Sequence, residues 1–360
     1  MCGLFTGTNR QSGETFTMTP FLAASELAGL QDFCQRHNFP SFRARQIASW
    51  LYEHCVTDPE DMNTLPAAIR SALKEEFLAP GTVIAENSKS SGEVEKLLLR
   101  LFDGECIEMV IIPSEKRLTF CLSTQVGCPV GCYFCASGRN GLTRNLSAGE
   151  MLEEFCIGTR RAGRPDNLVF MGIGEGLLNF EQLAVTLNTL VDKFTFSPRR
   201  ITVSTSGFVP GMEKFASLKR EFNLAVSLHA PDDETRSKLI PPKLRYPVAE
   251  VLRAADRIAE ANNRQYTLEY TLIEGINDSA YHAEKLGKLA FSHHAKINLI
   301  PYNETGGPFR RPQPEVIDRF EKTAADTGAR ITRRIERGAK GTAACGQLRA
   351  AGSKKIQENN

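Results

Sequence analysis

A chain of 360 residues, 41% hydrophobic and 24% charged, is long enough for one large domain plus a smaller accessory one, and its composition is that of a globular protein rather than a disordered or fibrous one. The formal charge is only +2, so bulk electrostatics does not mark a nucleic-acid binder and any such role must come from local patches. No run of about 18 apolar residues occurs in the sequence, so no membrane-spanning helix and no membrane partner are expected.

In chain order, residues 1–20 read MCGLFTGTNRQSGETFTMTP, a polar, Gly- and Thr-rich stretch without the apolar core of an export signal, and are expected to form a flexible tail. Without export the ten cysteines stay reduced, which implies a cytoplasmic protein whose clustered thiols serve metal or redox chemistry rather than a disulfide framework. Residues 21–80 read as a small helical accessory domain. FRARQIASWLYEH places Phe42, Ile47, Trp50 and Leu51 on one helical face, and Pro66 marks a later helix start. Residues 81–117 mix alternation with short β-rich runs around a turn at Gly104, and predict a β-hairpin linker.

From residue 118 a rhythm begins. Strand-like runs fall at 118–123, 167–172, 199–204, 222–228, 265–272 and 296–301, with helical segments at 147–162, 180–194, 210–220, 247–262, 279–291 and 314–327. Strands alternating with helices predict an α/β fold with a parallel sheet. Six units over residues 118–335 fit a partial, TIM-like (β/α)6 barrel, with a doubly wound sheet as the rival. Each strand runs into polar or Gly-rich text, such as Gly172-Ile173-Gly174-Glu175, Ser204-Thr205-Ser206-Gly207 and Ser227-Leu228-His229. In a barrel these groups gather at one mouth, where chemistry is done. Residues 336–360 form a basic C-terminal segment carrying Cys345 in a loop of small residues, GTAACGQLRAAG.

The first barrel strand leads into CLSTQVGCPVGCYFC (121–135), where Cys128, Cys132 and Cys135 are spaced C-x-x-x-C-x-x-C. Structural zinc takes four tetrahedral ligands, commonly from two paired knuckles; here three cysteines lie together and no second pair follows. Thiolates also hold iron–sulfur clusters. A four-iron cubane held by three of them leaves one iron without a protein ligand, open to a substrate. Core cysteines are the plain alternative to both.

CPVGCYFC, with the aromatic Phe134 just before the last cysteine, resembles the cluster loop of radical SAM enzymes. The text CLSTQVGC before it, MGIGEGLLN (171–179), ITVSTSGFVP (201–210), AVSLHAPDD (225–233), NLIPYN (298–303), AACGQL (343–348) and the N-terminal FRARQIASWLYEHCVTDPEDM are similar to the RlmN/Cfr family of RNA adenine methyltransferases, in the same order and over nearly the whole chain. The resemblance implies a radical SAM barrel, a [4Fe–4S] cluster on Cys128, Cys132 and Cys135, and S-adenosylmethionine chelating the fourth iron. It assigns Gly174, Glu175, Ser204, Ser227, Leu228, His229 and Asn303 to the cofactor site. On chemistry alone, the glycines of the 172–175 turn permit close approach to a ligand, and the Glu175 carboxylate suits an ammonium group. The family usually has proline where this chain has Gly176, so looser geometry is expected there.

The resemblance also implies a two-stage reaction. Carbon 2 of adenine has no lone pair and cannot simply attack a methyl sulfonium, whereas a thiolate can. Cys345 takes a methyl from a first S-adenosylmethionine. A second is cleaved at the cluster to a 5′-deoxyadenosyl radical, which removes hydrogen from that methyl, and the methylene radical adds to the ring. Glu108 takes a ring proton, and Cys121 attacks the sulfur of Cys345 to release product and leave a transient disulfide. Read without the resemblance, Cys121 is a buried core thiol, Glu108 a solvated strand residue and Cys345 an incidental thiol. The implied partners are 23S rRNA at the peptidyl-transferase centre, tRNA at the adenine 3′ of the anticodon, and an external one-electron donor of flavodoxin or ferredoxin type. A monomer is expected.

Residues 330–355 concentrate Arg330, Arg333, Arg334, Arg337, Lys340, Arg349, Lys354 and Lys355 against one acid, Glu336, a density suited to phosphate contact. Phe309-Arg310-Arg311 and the FRARQ helix are lesser candidates. Three rivals remain: methylation at carbon 8, as Cfr does; a radical SAM enzyme acting on a protein or small molecule; and a non-catalytic RNA-binding module, zinc-bound or an inactive paralogue.

Overall fold

The computed structural model describes residues 5–8, 15–18, 21–78, 81–87, 94–334 and 348. Cys345 and the basic residues Arg337, Lys340, Arg349, Lys354 and Lys355 lie outside the described residues. Phe5–Thr8 (β1) pairs antiparallel with Thr15–Met18 (β2), which corrects the expectation of a loose tail at those residues. FTGT and TFTM are rich in the β-branched and aromatic types that suit strands.

Three helices follow, Leu27–Arg36 (α1), Phe42–Tyr52 (α2) and Ala67–Glu76 (α3). They close on a core of their own containing Leu30, Phe33, Ile47, Leu51, Ile69 and Leu73. The expected α2 face holds for Ile47 and Leu51, with Trp50 half-buried, but Phe42 is 53% exposed. Phe42 is the first helical residue, and helical side chains lean toward the N-terminus, so its ring hangs off the end.

Thr82–Asn87 (β3), Glu95–Arg100 (β4), Cys106–Ser114 (β5) and Arg117–Cys121 (β6) form an antiparallel meander. This corrects the hairpin linker: β3 to β5 extend the barrel sheet itself. The first six residues of β5 are all buried, which a linker with a solvated face would not show. Gln125–Gly127 (β7) and Leu142–Asn145 (β8) make a separate antiparallel ribbon.

The remaining elements alternate. They are Ala148–Ala162 (α4), Asn167–Phe170 (β9), Phe180–Asp192 (α5), Ile201–Thr205 (β10), Val209–Ala216 (α6), Asn223–Ser227 (β11), Asp233–Ser237 (α7), Val248–Asn262 (α8), Thr267–Leu272 (β12), Ala280–Ser292 (α9), Lys296–Pro301 (β13), Pro314–Ala325 (α10) and Arg330–Arg333 (β14). The described strands build one ten-stranded sheet in the order β14-β13-β12-β11-β10-β9-β6-β5-β4-β3, parallel from β6 to β14. With its helices this is the radical SAM fold, a partial β/α barrel. β14 was not expected. Its RITR text offers one apolar residue among charges, too little for a periodicity to register.

Alternation along each strand sorts the side chains. Leu168, Val203, Val226, Leu268 and Leu299 face a helical layer of Leu152, Phe155, Leu187, Phe215, Val251 and Phe320. Their alternate neighbours face the barrel interior. The accessory helices dock on α4, where a methyl at Gly149 would lie 2.1 Å from Cβ of Phe21. Gly149→Ala gains about 1 kcal/mol of helix propensity but overpacks a backbone-proximal contact at a cost of roughly 1–3 kcal/mol. A net loss of up to about 2 kcal/mol is expected, read as a lower urea midpoint at unchanged m.

Candidate active site

The cysteine loop leaves the barrel through the β7–β8 ribbon. Gly127 (φ +78) makes this crossing possible, because a Cβ there would lie 2.1 Å from the carbonyl oxygen of Gly141. The Cys128 amide donates to that same carbonyl at 2.9 Å. Cys128, Cys132 and Cys135 pack against an apolar wall of Val130, Phe134, Leu239, Ile240, Ile273 and Tyr302. The loop is pinned to that wall by the Tyr133 amide, which donates to the Leu239 carbonyl at 3.0 Å.

Burial pushes the Cys128 thiol up to about 12 and the Cys132 thiol well above its ordinary range, and charge on neighbouring thiols pushes each further. As bare thiols they are inert; a cation among them would favour the thiolates. Among the described residues, no three His, Cys, Asp or Glu side chains converge as they would on a single ion. An iron–sulfur cubane takes each thiolate on a different iron, so a soft, three-thiol loop against an apolar wall fits it without such convergence.

Beside this loop the strand ends of β6 and β9 are sutured. A Cβ on Gly172 would lie 2.6 Å from the Leu122 carbonyl oxygen, and one on Gly174 (φ +115) 2.6 Å from Thr124 Oγ1. These glycines admit the protein's own neighbouring strand end. Ile173 donates its amide to Ser123 Oγ at 2.9 Å, and Thr124 donates its amide to the Ile173 carbonyl at 2.8 Å. Glu154, wholly buried on α4, accepts from the Ser123 amide at 2.9 Å, and desolvation raises its pKa.

Glu175 is buried, and its carboxylate accepts from the Ser206 amide at 2.6 Å and the Leu177 amide at 3.3 Å. Its own amide donates to Gln125 Oε1 at 2.8 Å. Desolvation raises its pKa against those donors. These bonds tie three strand ends together and fasten the loop on the N-terminal side of Gly176 through Glu175 and Gln125. Ser204 and Ser227, on adjacent strands, bring their hydroxyls within 3.4 Å of each other.

His229 follows β11 in the left-handed region (φ 57) and is almost wholly buried. The Thr271 amide donates to its Nδ1 at 3.0 Å, so the ring hydrogen of the neutral imidazole is on Nε2. Its ring meets Phe134 of the cysteine loop edge-on at 4.9 Å. Burial, aided by the charge of Arg236, lowers its pKa from 6.5 to about 3. Leu228 is fully buried and Asn303 nearly so, at the ends of β11 and β13. The predicted cofactor residues thus lie at the C-terminal ends of β9, β10, β11 and β13.

Cys121 and Glu108 share the interior face. Val110 is paired across the strands with Cys121, so both point the same way, and Glu108 lies two residues before Val110. Ile107, Met109, Ile111 and Phe120 point oppositely, into the helical layer. Glu108 is 3% exposed, not solvated, and pairs with Lys96 Nζ at 2.8 Å. Cys121 is buried, in no disulfide, in a small cluster with Val110, Ile173 and Leu348. The Leu348 carbonyl also accepts from Ser137 Oγ at 2.7 Å, which fastens Leu348 to the turn after the cysteine loop.

Sequence reasoning missed two charged residues here. Lys96 sits in EKLLLR, where alternation offers no hint of its partner 12 residues later in the chain. Arg236 opens no motif, yet it is fully buried behind the β10 and β11 ends. Among the expected basic contacts, Arg333 is held by Asp318 and Glu321 of α10, which leaves less of its charge for phosphate. Arg43 stacks over the exposed Phe42 ring at 4.7 Å and remains a surface feature of α2.

A parallel barrel with a three-cysteine loop after its first parallel strand and polar strand ends around it defines a radical SAM enzyme. The Radical SAM superfamily matches residues 122–285, and the ribosomal RNA large subunit methyltransferase N-terminal domain matches residues 22–78. The probable dual-specificity RNA methyltransferase RlmN of Rhodopirellula baltica is 41% identical over 89% of this chain and 88% of its own. The dual-specificity RNA methyltransferase RlmN of Desulfosudis oleivorans is 39% identical over 92% of this chain and 91% of its own. The crystal structure of a radical SAM methyltransferase from Sphaerobacter thermophilus superposes with a TM-score of 0.87 at 43% identity, covering 92% of this chain and 99% of that one. The chain belongs to the RlmN family of radical SAM RNA methyltransferases, which use a [4Fe–4S] cluster and S-adenosylmethionine. Among the described residues no helix is long and apolar enough to cross a membrane.

The lowered pKa of His229 has a signed consequence. Between pH 6.5 and about 3 the unfolded chain binds a proton at this residue and the folded one does not, so stability falls as pH falls through that window. His229→Asn retains an acceptor for the Thr271 amide without titrating. Its urea-melt stability, followed against pH, is expected to fall less steeply than that of wild type below pH 6.5. Parallel curves would contradict the neutral buried imidazole.

Proposed function

We propose that this enzyme methylates carbon 2 of adenine in 23S rRNA at the peptidyl-transferase centre and in tRNA at the adenine 3′ of the anticodon, using two S-adenosylmethionine per product. The carrying observation is Cys121. It is a buried cysteine outside any disulfide on the interior face, clustered with Leu348, which stands three residues beyond Cys345 in the chain. A separation of three residues spans at most about 11 Å, and this short reach from Leu348 supports the reading that pairs Cys345 with Cys121. The dual-specificity names of the relatives support two RNA substrates.

Cys128, Cys132 and Cys135 would hold the cluster as thiolates. Gly174, Glu175, Ser204, Ser227, Leu228, His229 and Asn303 would line the S-adenosylmethionine. When bound, the pair supplies one-electron cleavage of a sulfonium bond. The Ser204 and Ser227 hydroxyls, 3.4 Å apart, can each turn to a ligand oxygen. His229 offers a fixed Nε2–H donor because its Nδ1 is occupied by the Thr271 amide.

The Cys345 thiolate attacks the methyl carbon of one S-adenosylmethionine, forming an S-methyl thioether as S-adenosylhomocysteine leaves with the electron pair of the broken carbon–sulfur bond. Glu108, oriented by Lys96, takes the ring proton after carbon–carbon bond formation. The Cys121 thiolate then attacks the sulfur of Cys345, forming a transient disulfide that an external reductant resets; the product carbon leaves with the electron pair of the broken bond and takes up a proton to become the methyl group. The electron donor is of flavodoxin or ferredoxin type, the location is cytoplasmic and the enzyme acts as a monomer.

Anaerobic incubation of the cluster-loaded enzyme with rRNA, tRNA, reductant and methyl-labelled S-adenosylmethionine is expected to place label on carbon 2 of adenosine. Cys345→Ala should keep its iron and lose labelling by at least about a thousandfold, roughly 4 kcal/mol of barrier. Cys121→Ala should accumulate RNA joined to protein through Cys345, seen as a denaturation-resistant band. Label on carbon 8 would make the chemistry that of the Cfr branch. Undiminished methylation by Cys345→Ala would remove the thiol carrier from the mechanism.

A further inference from the structure

Among the described residues, Arg236 is a buried cation that the chemistry above leaves unused. Arg236 is 0% exposed. Its guanidinium donates to three carbonyls from three segments: Ser206 after β10, Leu228 after β11 at 3.3 Å through Nε, and Tyr246 before α8 at 2.8 Å through Nη1. Among the described residues no carboxylate lies within ion-pair distance of it. A Cβ on Gly207 (φ +94) would lie 3.1 Å from Nη2, so that glycine leaves the guanidinium its space. Taking an arginine wholly out of water without a counter-ion costs several kcal/mol, which carbonyl dipoles offset only in part. A hydrocarbon side chain would pack there without that cost.

The surroundings show what the charge faces. The Arg236 carbonyl accepts from the amides of Leu239 at 3.1 Å and Ile240 at 3.0 Å, both in the apolar wall behind the cysteines. The Leu239 carbonyl in turn holds the amide of Tyr133, the residue after Cys132. Arg236 and Cys132 act on each other electrostatically, and Cys132 also feels Cys128, Cys135 and Glu175. The other charges acting on Arg236 are Asp233 and Arg245. Burial lowers the guanidinium pKa only to about 10, so it stays cationic at neutral pH.

We propose that Arg236 is a positioning residue that also acts through its charge. It holds the Ser206 and Leu228 loops in register and raises the one-electron reduction potential of the cluster carried by Cys128, Cys132 and Cys135. The inference rests on the reading of those three cysteines as the cluster ligands. Reduction transfers one electron from an external one-electron reductant and adds one negative charge beside Cys132. A fixed cation in a low-dielectric wall favours the more negative state.

The test uses the full chain, reconstituted anaerobically with iron and sulfide, as wild type, Arg236→Met, Arg236→Gln and Arg236→Lys. Iron content and thermal midpoint are measured first. The reduced cluster is then followed by electron paramagnetic resonance through a dithionite-poised redox titration. Arg236→Met and Arg236→Gln are expected to lose about tenfold in the reduction equilibrium constant, a downward shift of about 59 mV for one electron. Arg236→Lys keeps the charge without the three-way fork and should stay within about threefold of wild type. The Gln variant retains two N–H donors and decides the matter where Met disturbs the fold. Neutral variants titrating with wild type, or Lys moving as far as Met, would overturn the electrostatic role. Wild type that holds no iron, or Cys132→Ala that keeps a full complement, would overturn the ligand reading and the inference with it.

Discussion

Everything at the barrel mouth depends on how closely the end of β9 lies against the end of β6. Gly172 and Gly174 let the two backbones approach to distances that no side chain would permit. The resulting contact is sealed by bonds between Ile173 and Ser123, Thr124 and Ile173, and Glu175 and Gln125. The cysteine loop begins three residues after Gln125, so this suture sets where the three thiols stand relative to Glu175, Ser204 and His229. Asn179 extends it by donating to the carbonyls of Thr124 and Leu146 at 2.9 and 2.7 Å, which fixes both roots of the loop-bearing ribbon.

The electrostatics of the mouth follow from burial. Glu154 and Glu175 are desolvated and rely on backbone amides rather than cations. His229 is kept neutral by burial and by Arg236, and Arg236 itself is satisfied by carbonyls. Lys96–Glu108, by contrast, is a tight ion pair on the antiparallel extension. Ionisable groups thus fall into two regions. Neutral or singly charged groups are embedded in the wall beside the cysteine loop, and a compensated carboxylate lies near Cys121. Such partition suits a site where electron transfer and proton transfer occur at different points.

The accessory helices and the barrel are bound by apolar contact, with Phe21 seated on Gly149 and Tyr52 edge-on to Phe194 at 5.3 Å. The exposed Phe42 with Arg43 above it, on α2, offers a ring and a cation on the same surface. Rings and guanidinium planes are the groups on which unpaired bases stack. Of the basic residues at 330–334, Arg333 is spent on α10.

The α/β rhythm was legible in the chain because each core strand is a short apolar run ended by polar text, as in NLAVS before Leu228-His229, and each helix carries its own apolar stripe. The three thiols and the strand-end residues were legible because they are local: spacing within one loop, or position at the end of one strand, needs no long-range information. The antiparallel strands β3 to β5, the pairing of Lys96 with Glu108, the use of Gly172 and Gly174 to admit a neighbouring strand, and the burial of Arg236 were decided by the tertiary structure alone. Each depends on a partner distant in the chain or on the register between strands, and neither is written in the periodicity of a single segment. Residue type determined what chemistry the chain can do; packing decided which of those residues face one another, and at what charge.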